Sequence, residues 1–391
     1  MDRKQLTAVA VVAIIVAAAA VLLMNTNRSD DGGDITIVDG SGRTITLDEP
    51  LTNVAVINSN VPKAMIMLGL DDSISCYYYG AKNHFDIDAE NRYNNGETDR
   101  NLGTYYTPSV EVLIKYGVQA VICPVSSMTL YSSTEKACEL NGIEVIRLDC
   151  NGDSMHSDLE KLSQIFGNPE SSTSILEQYM DEYNTTMAAV EAALEGTDLY
   201  DYLCTFVSKN SIYNTSSDLS ALMSHAFAEN VSSYTDLPTD SVTNEINDGA
   251  VEAISQVMDR IDVYLMRAAA GDFDDGGSEA ELVADNQYNS YVGESSSNRL
   301  VTTDSPAYAN NQIYVIESEL MSGLYAHIGL VIIVTEVYGI EVEGFEDIDA
   351  AITGFQERYN QDSIADGAPL VYRYGADHPA TGDNLLLSYN A

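Results

Sequence analysis

Asn168-Pro-Glu-Ser-Ser-Thr-Ser-Ile-Leu-Glu-Gln-Tyr-Met-Asp-Glu-Tyr-Asn-Thr-Thr-Met-Ala-Ala-Val-Glu-Ala-Ala-Leu-Glu-Gly196 reads as one long helix with both ends marked. Asn168 suits the cap, Pro169 suits the first helical position because its missing N–H is not needed there, and Gly196 suits a left-handed stop. Leu176, Tyr179, Met180, Tyr183, Met187, Val190 and Leu194 recur at three- and four-residue spacing, which gives one apolar face, while Glu and Asp occupy the other. At 1.5 Å per residue the segment spans roughly 40 Å, more than a small lobe needs. The stretches before and after it follow similar patterns, so the helix reads as a brace between two halves.

The 391 residues suffice for two domains, and an apolar fraction of 45% supports a real core. Sixty acidic against 18 basic residues leave a formal net charge of −42. Such a surface repels nucleic acid, which argues against a nucleic-acid role, and is read as adaptation to salt or as simple solubility. Arg3 and Lys4 precede an apolar run over residues 6–24, about the thickness of a bilayer core, and acidic residues follow it. Residues 1–33 are therefore read as a membrane anchor or signal segment with a glycine tether, an uncleaved anchor being the preferred form, which places the rest of the chain outside the membrane. The first cysteine is Cys76, so no lipid-modified cysteine follows this run.

Residues 34–167 alternate strands with short helices. A hairpin surrounds Asp39-Gly-Ser-Gly, and strands are expected near Val54, Ile74, Ala120 and Glu144, with helices over 62–68, from Thr107 and over 133–141. That order implies a mainly parallel sheet covered on both faces. Residues 197–391 begin the same way, with a strand near Asp201, helices from Ser217 and Gly249, and a strand near Ile261. The acidic stretch 271–285 reads as an insertion and a solvated loop rather than a calcium site, because regular ligand spacing is lacking. The chain after Val342 reads as a tail. Among Cys76, Cys123, Cys138, Cys150 and Cys204 there is no metal-type spacing; Cys123 and Cys204 sit in strand-like runs as buried thiols, and a Cys138–Cys150 bridge is left open.

Asp39-Gly-Ser-Gly-Arg-Thr-Ile, Leu68-Gly-Leu70 and Gly103-Thr-Tyr-Tyr-Thr-Pro-Ser-Val-Glu-Val-Leu, in that order, resemble the extracytoplasmic binding proteins of ABC importers for siderophores, haem and cobalamin. The resemblance covers roughly residues 35–339. It implies a class III substrate-binding protein: two Rossmann-like α/β lobes, 34–167 and 197–391, joined by the single long helix 168–196, with a small-molecule ligand held between them. It further implies that Glu111 and Glu252, each at the start of a helix before a buried strand, dock on an ABC permease that works with its ATPase. The alternative for such a glutamate is simply a favourable place near a helix N-terminus.

Open parallel sheets bind ligands beyond the carboxyl ends of their strands, and the loops there are rich in tyrosine. Tyr105, Tyr106 and Tyr213 match the family's pocket positions; Tyr78, Tyr325, His327 and Met321 complete the candidate cleft set. Tyrosine offers a flat apolar face with a polar tip, suited to a planar or chelate ligand. Basic residues look scarce near this cleft, which favours haem, a corrinoid or a weakly charged iron chelate over an anionic siderophore. The five histidines show no metal-ligand spacing, and no bound metal or resident cofactor is expected. No Gly-x-Ser-x-Gly elbow, phosphate-binding glycine loop or His-Glu-x-x-His helix is present, so no catalytic residue is assigned. A monomer taking one ligand is expected, with a membrane-anchored sensor or interaction protein of the same fold as the alternative.

Overall fold

The structure is a computed structural model that describes residues 34–390 apart from 59, 79–101, 105, 126–129, 207–209, 239–242, 270–271, 274–276, 293–298, 362–363, 379 and 381–383. The anchor or signal segment 1–33 lies outside the described residues, and among those described no helix is long and apolar enough to cross a membrane. The expected hairpin is β1 (Ile35–Val38) and β2 (Thr44–Leu47), paired antiparallel, with Ile37, Ile45 and Leu47 buried. Its turn is tied by Asp39, whose Oδ1 accepts from the amides of Ser41 (2.9 Å) and Arg43 (3.0 Å). Arg43 in turn bonds Glu135 at 2.7 Å, which also bonds Arg147 at 2.8 Å. The Asp-x-x-Gly-Arg pattern thus fastens the hairpin to the first lobe.

Four strands follow: β3 (Val54–Val56), β4 (Ile74–Tyr77), β5 (Ala120–Cys123) and β6 (Glu144–Arg147), in the all-parallel order β4-β3-β5-β6. Every side chain of β3 and β5 is buried, as parallel strands covered on both faces require. The intervening helices are α1 (Asn60–Met67), α2 (Val110–Lys115) and α3 (Ser132–Leu140), and α4 (Met155–Ile165) closes the lobe. The second half contributes β7 (Tyr202–Phe206), β8 (Ser211–Tyr213), α6 (Asp218–Met223), β9 (Thr243–Glu245), α7 (Asp248–Ser255), β10 (Val263–Arg267), α8 (Gly277–Tyr291), α9 (Pro306–Ala309) and β11 (Ile313–Ile316). It ends with α10 (Ser318–Met321), α11 (Ala326–Tyr338), α12 (Ile348–Tyr359), β12 (Pro369–Tyr374) and β13 (Leu385–Ser388). These strands form one mixed sheet, β13-β12-β11-β10-β7-β8-β9, whose centre β11-β10-β7 is parallel.

Between the sheets runs α5 (Glu170–Ala193), the brace. Its N-terminus differs from the sequence reading: Pro169 holds the cap position with no side-chain capping bond. Gly167 (φ 81°) and Asn168 (φ 49°) are both left-handed, so Asn168 serves the reversal out of α4 instead of capping α5. Gly196 (φ 83°) is left-handed, as a helix stop requires. The brace touches both halves. Ser172 Oγ donates to the Leu68 carbonyl at 2.7 Å, and Tyr179 Oη donates to that of Leu324 at 3.2 Å. One continuous apolar cluster runs from Val54, Met65 and Leu68 through Tyr179 and Val190 to Leu330 and Ile333.

Three expectations are corrected. Residues 277–291 of the acidic stretch and its continuation are the helix α8, not a solvated loop, because Ala280, Ala284, Tyr288 and Tyr291 form an inward stripe between the acidic residues. Asp272 serves this packing, its Oδ2 accepting from Ala269 N (2.8 Å) and Gln287 Nε2 (2.7 Å); Asp274 and Asp275 lie outside the described residues. The segment after Val342 is no tail, since α12 packs on the core and β12 and β13 extend the second sheet antiparallel. Finally, none of the five cysteines is in a disulfide and all are buried, so the Cys138–Cys150 bridge that the sequence leaves open is not formed.

Candidate functional site: the seam between the lobes

The two sheets approach each other through segments that leave the carboxyl ends of their parallel strands. From the first lobe come α1, directly after β3, and Asn151, after β6; from the second comes the segment 317–325, directly after β11. Lys63 Nζ on α1 meets Glu319 Oε1 at 2.7 Å, with both side chains almost fully buried. Gly323 N donates to Asn151 Oδ1 at 3.1 Å, and Gln361 Nε2 to the Lys63 carbonyl at 3.3 Å. The seam is therefore polar at its centre, although apolar side chains surround it.

Arg267 ends β10, the middle strand of the parallel centre, and reaches this seam. Its Nη1 donates to Tyr213 Oη and its Nη2 to Ser318 Oγ, each at 2.9 Å, while the guanidinium lies 4.6 Å from the Phe206 ring centroid. Phe206 and Tyr213 stack with centroids 6.3 Å apart. Burial pushes the Tyr213 hydroxyl pKa up, with the nearby Arg267 charge working against that rise. Glu317 Oε2 accepts from the amides of Glu319 and Leu320. Burial, and next the Glu319 charge, push the Glu317 carboxyl up to about 8 against the pull of Lys63 and Arg267.

Of the sequence-predicted cleft residues, Tyr213 lies in this cluster. Tyr78 follows β4, half-buried between the continuous apolar cluster that runs through the brace and a smaller cluster confined to the first lobe. Tyr106 is half-buried and stacks on Tyr131 with centroids 5.4 Å apart. Tyr105 lies outside the described residues. Met321, Tyr325 and His327 are core residues, at 1%, 0% and 0% exposure. Ser322 and Gly323 make that stretch look like a surface loop, whereas they form a tight turn into α11, whose sequence is apolar on every side. Gly329 permits this: a Cβ there would stand 1.7 Å from the Leu320 carbonyl oxygen.

Sequence reading missed Arg267, Ser318, Glu317, Glu319 and Lys63. The available signal was the charged residue closing the apolar run Val263-Tyr-Leu-Met-Arg267, at the sheet edge where ligands bind. Among the described residues no group of three or more His, Cys, Asp or Glu side chains converges as a metal site.

Glu111 and Glu252 are both exposed, Glu111 in the first turn of α2 and Glu252 in the second turn of α7, where Asp248 holds the first-turn place. Ser109 Oγ caps the first helix through Val112 N at 3.4 Å, and Asn247 Oδ1 caps the second through Gly249 N (3.0 Å) and Ala250 N (3.1 Å). Each helix leads into a strand, β5 or β10, that pairs in parallel with the first strand of its own sheet. The two carboxylates therefore lie on corresponding helices of the two lobes, but at different depths, two residues past the cap for Glu111 and five for Glu252.

Two α/β lobes joined by one long helix and meeting at the carboxyl ends of their strands define the class III, TroA-like periplasmic binding protein fold. No protein-family profile matches the sequence, and no curated protein does. Solved structures do share the fold. The TroA-like periplasmic binding protein FepB from Veillonella parvula aligns with a TM-score of 0.58 at 14% identity, covering 87% of this chain and 100% of that one. The molybdate-binding protein MolA from Haemophilus influenzae aligns at 0.58 with 12% identity over 83% of this chain and 97% of that one. A periplasmic haem-binding protein from Pseudomonas aeruginosa aligns at 0.54 with 14% identity, 74% of this chain and 93% of that one. At such identities the likeness speaks for the fold.

Proposed function

We propose that this protein is the extracytoplasmic substrate-binding component of an ABC importer. In this reading it captures an iron complex, siderophore or haem, or a corrinoid between its lobes and delivers it to a permease served by an ATPase. The observation that carries the reading is that Glu111 and Glu252 are exposed on corresponding helices, each leading into a strand paired in parallel with the first strand of its own sheet. A permease spanning both lobes with cationic sockets would sense the distance between these carboxylates, and hence the state of the seam. The brace suits a protein that moves little, because bending α5 would break several backbone hydrogen bonds.

Reversing either charge, Glu111→Lys or Glu252→Lys, is expected to cut uptake of ligand by cells at least about tenfold, the equivalent of roughly 1.4 kcal/mol of docking energy. Ligand affinity of the purified protein should stay within about twofold, since neither residue lies at the seam. A parallel loss of affinity in solution, or unchanged uptake with both charges reversed, would count against docking through these residues.

A further inference from the structure

Arg267 makes no direct ion pair among the described residues, although the nearby Tyr213, Glu319 and Glu317 help hold its charge. Although acidic residues outnumber basic ones 60 to 18, no carboxylate among the described residues pairs with its guanidinium. Of the two carboxylates whose fields act on it, Glu319 is paired with Lys63, and Glu317 is held by the amides of Glu319 and Leu320. Two of the five N–H donors of an arginine are engaged here, by Tyr213 and Ser318. Nε is shielded from solvent and has no hydrogen-bond partner. Burial works against the charge, but the Tyr213 bond and the Glu319 and Glu317 fields outweigh it, so the half-buried guanidinium stays charged with donors left over for a ligand.

The surroundings point the same way. Tyr213 Oη and Ser318 Oγ both accept from Arg267, which leaves each hydroxyl proton to be donated onward. Three guanidinium N–H groups and two O–H groups are thus left as donors in one cluster, beside the flat face of Phe206. We propose that Arg267, with Tyr213 and Ser318, seats a carboxylate carried by the ligand bound between the lobes. This rests on the binding-protein reading above and favours, among the expected ligands, those that carry a carboxylate, haem included, because the planar fork of an arginine matches a carboxylate. Glu317 fits the scheme as a carboxyl that is mostly protonated at neutral pH, among Glu319, Lys63 and Arg267, and so does not compete for the guanidinium.

The test is calorimetric titration of the full chain, wild type and Arg267→Gln, with four probes. Haem and ferric citrate carry carboxylates from two different sources; ferrioxamine and cyanocobalamin carry none. A carboxylate-bearing probe is expected to bind, Arg267→Gln to weaken it by about 10- to 100-fold, and Arg267→Lys to recover part of the loss. Without ligand, Arg267→Gln should melt within about 3 °C of wild type, because no direct ion pair is lost with the charge. A clear drop in that melting temperature would make Arg267 a structural strut and overturn the proposal. Unchanged affinity in Arg267→Gln, or binding of the carboxylate-free probes alone, would overturn it while leaving the binding-protein reading standing. Failure of all four probes to bind would remove both.

Discussion

Replacing Lys63 by methionine is expected to destabilise the protein by about 3–5 kcal/mol, the cost of leaving one member of a buried ion pair uncompensated. Lys63 Nζ sits 2.7 Å from Glu319 Oε1, and water reaches little of either side chain. Methionine matches the lysine stem and suits the apolar flank formed by Val61, Ala64 and Met67, so the loss isolates the charge. What remains is Glu319 beside Glu317, two carboxyls in one poorly solvated site with Arg267 as the remaining nearby cation. Urea unfolding at pH 7 reads the effect. The double variant Lys63→Met/Glu319→Leu should return to within about 1 kcal/mol of wild type, since an apolar pair of similar volume replaces a buried ion pair at little net cost. A single variant within about 1 kcal/mol of wild type would mean that the pair is solvated in solution and does not latch the lobes.

Why the brace and the first lobe are legible in the sequence, and the seam is not, follows from the range of the interactions involved. α5 announces itself through three- and four-residue spacing and the glycine beyond its end, and β3 and β5 through short runs buried on both faces. The helices of Glu111 and Glu252 are readable for the same reason, because a cap is a local event, although Glu252 falls in the second turn and Asp248 in the first. Arg267 meets Tyr213 across 54 residues and Ser318 across 51, and these separations carry no periodic signal. β12 was hidden differently. Pro369 suggests a break, yet proline is tolerated at the first position of a strand, where Pro369 stands. Met321, Tyr325 and His327 misled because Ser322 and Gly323 resemble a surface turn, while the apolar run from Ile328 to Val334 draws the whole segment inward. Polar punctuation marks a change of direction; only the packing decides whether that turn faces water.

The same inward packing predicts acid sensitivity. His327 is enclosed by Tyr179, Tyr183 and Phe355, with ring centroids 5.5–5.8 Å away, and neither ring nitrogen reaches a hydrogen-bond partner. The Leu324 carbonyl, which favours the charged form, already accepts from Tyr179 Oη. His156 on α4 meets the edge of Tyr183 at 4.4 Å, and its Nε2 is unpartnered. Burial lowers the His156 pKa from 6.5 to about 4; burial, and next the neighbouring His156, lower that of His327 to about 3. Below pH 6.5 the unfolded chain therefore binds protons that the folded chain refuses, so stability is lost as pH falls from there toward the folded values. At pH 5 that is 1.5 units at about 1.36 kcal/mol each, about 2 kcal/mol per histidine and about 4 kcal/mol for the two. Glu317 acts in the opposite sense: its folded pKa, raised from 4.5 to about 8, adds stability as pH falls through that window. The raw stability profile mixes the two effects, so the informative quantity is the difference between wild type and His156→Gln/His327→Gln. In that difference Glu317 cancels and only the histidines remain. The variant should gain about 4 kcal/mol on wild type between pH 7.5 and pH 5 in urea titrations. A difference that stays flat over this range would mean that water or a hydrogen-bond acceptor reaches both rings, and that the aromatic spine joining brace and lobes is not sealed.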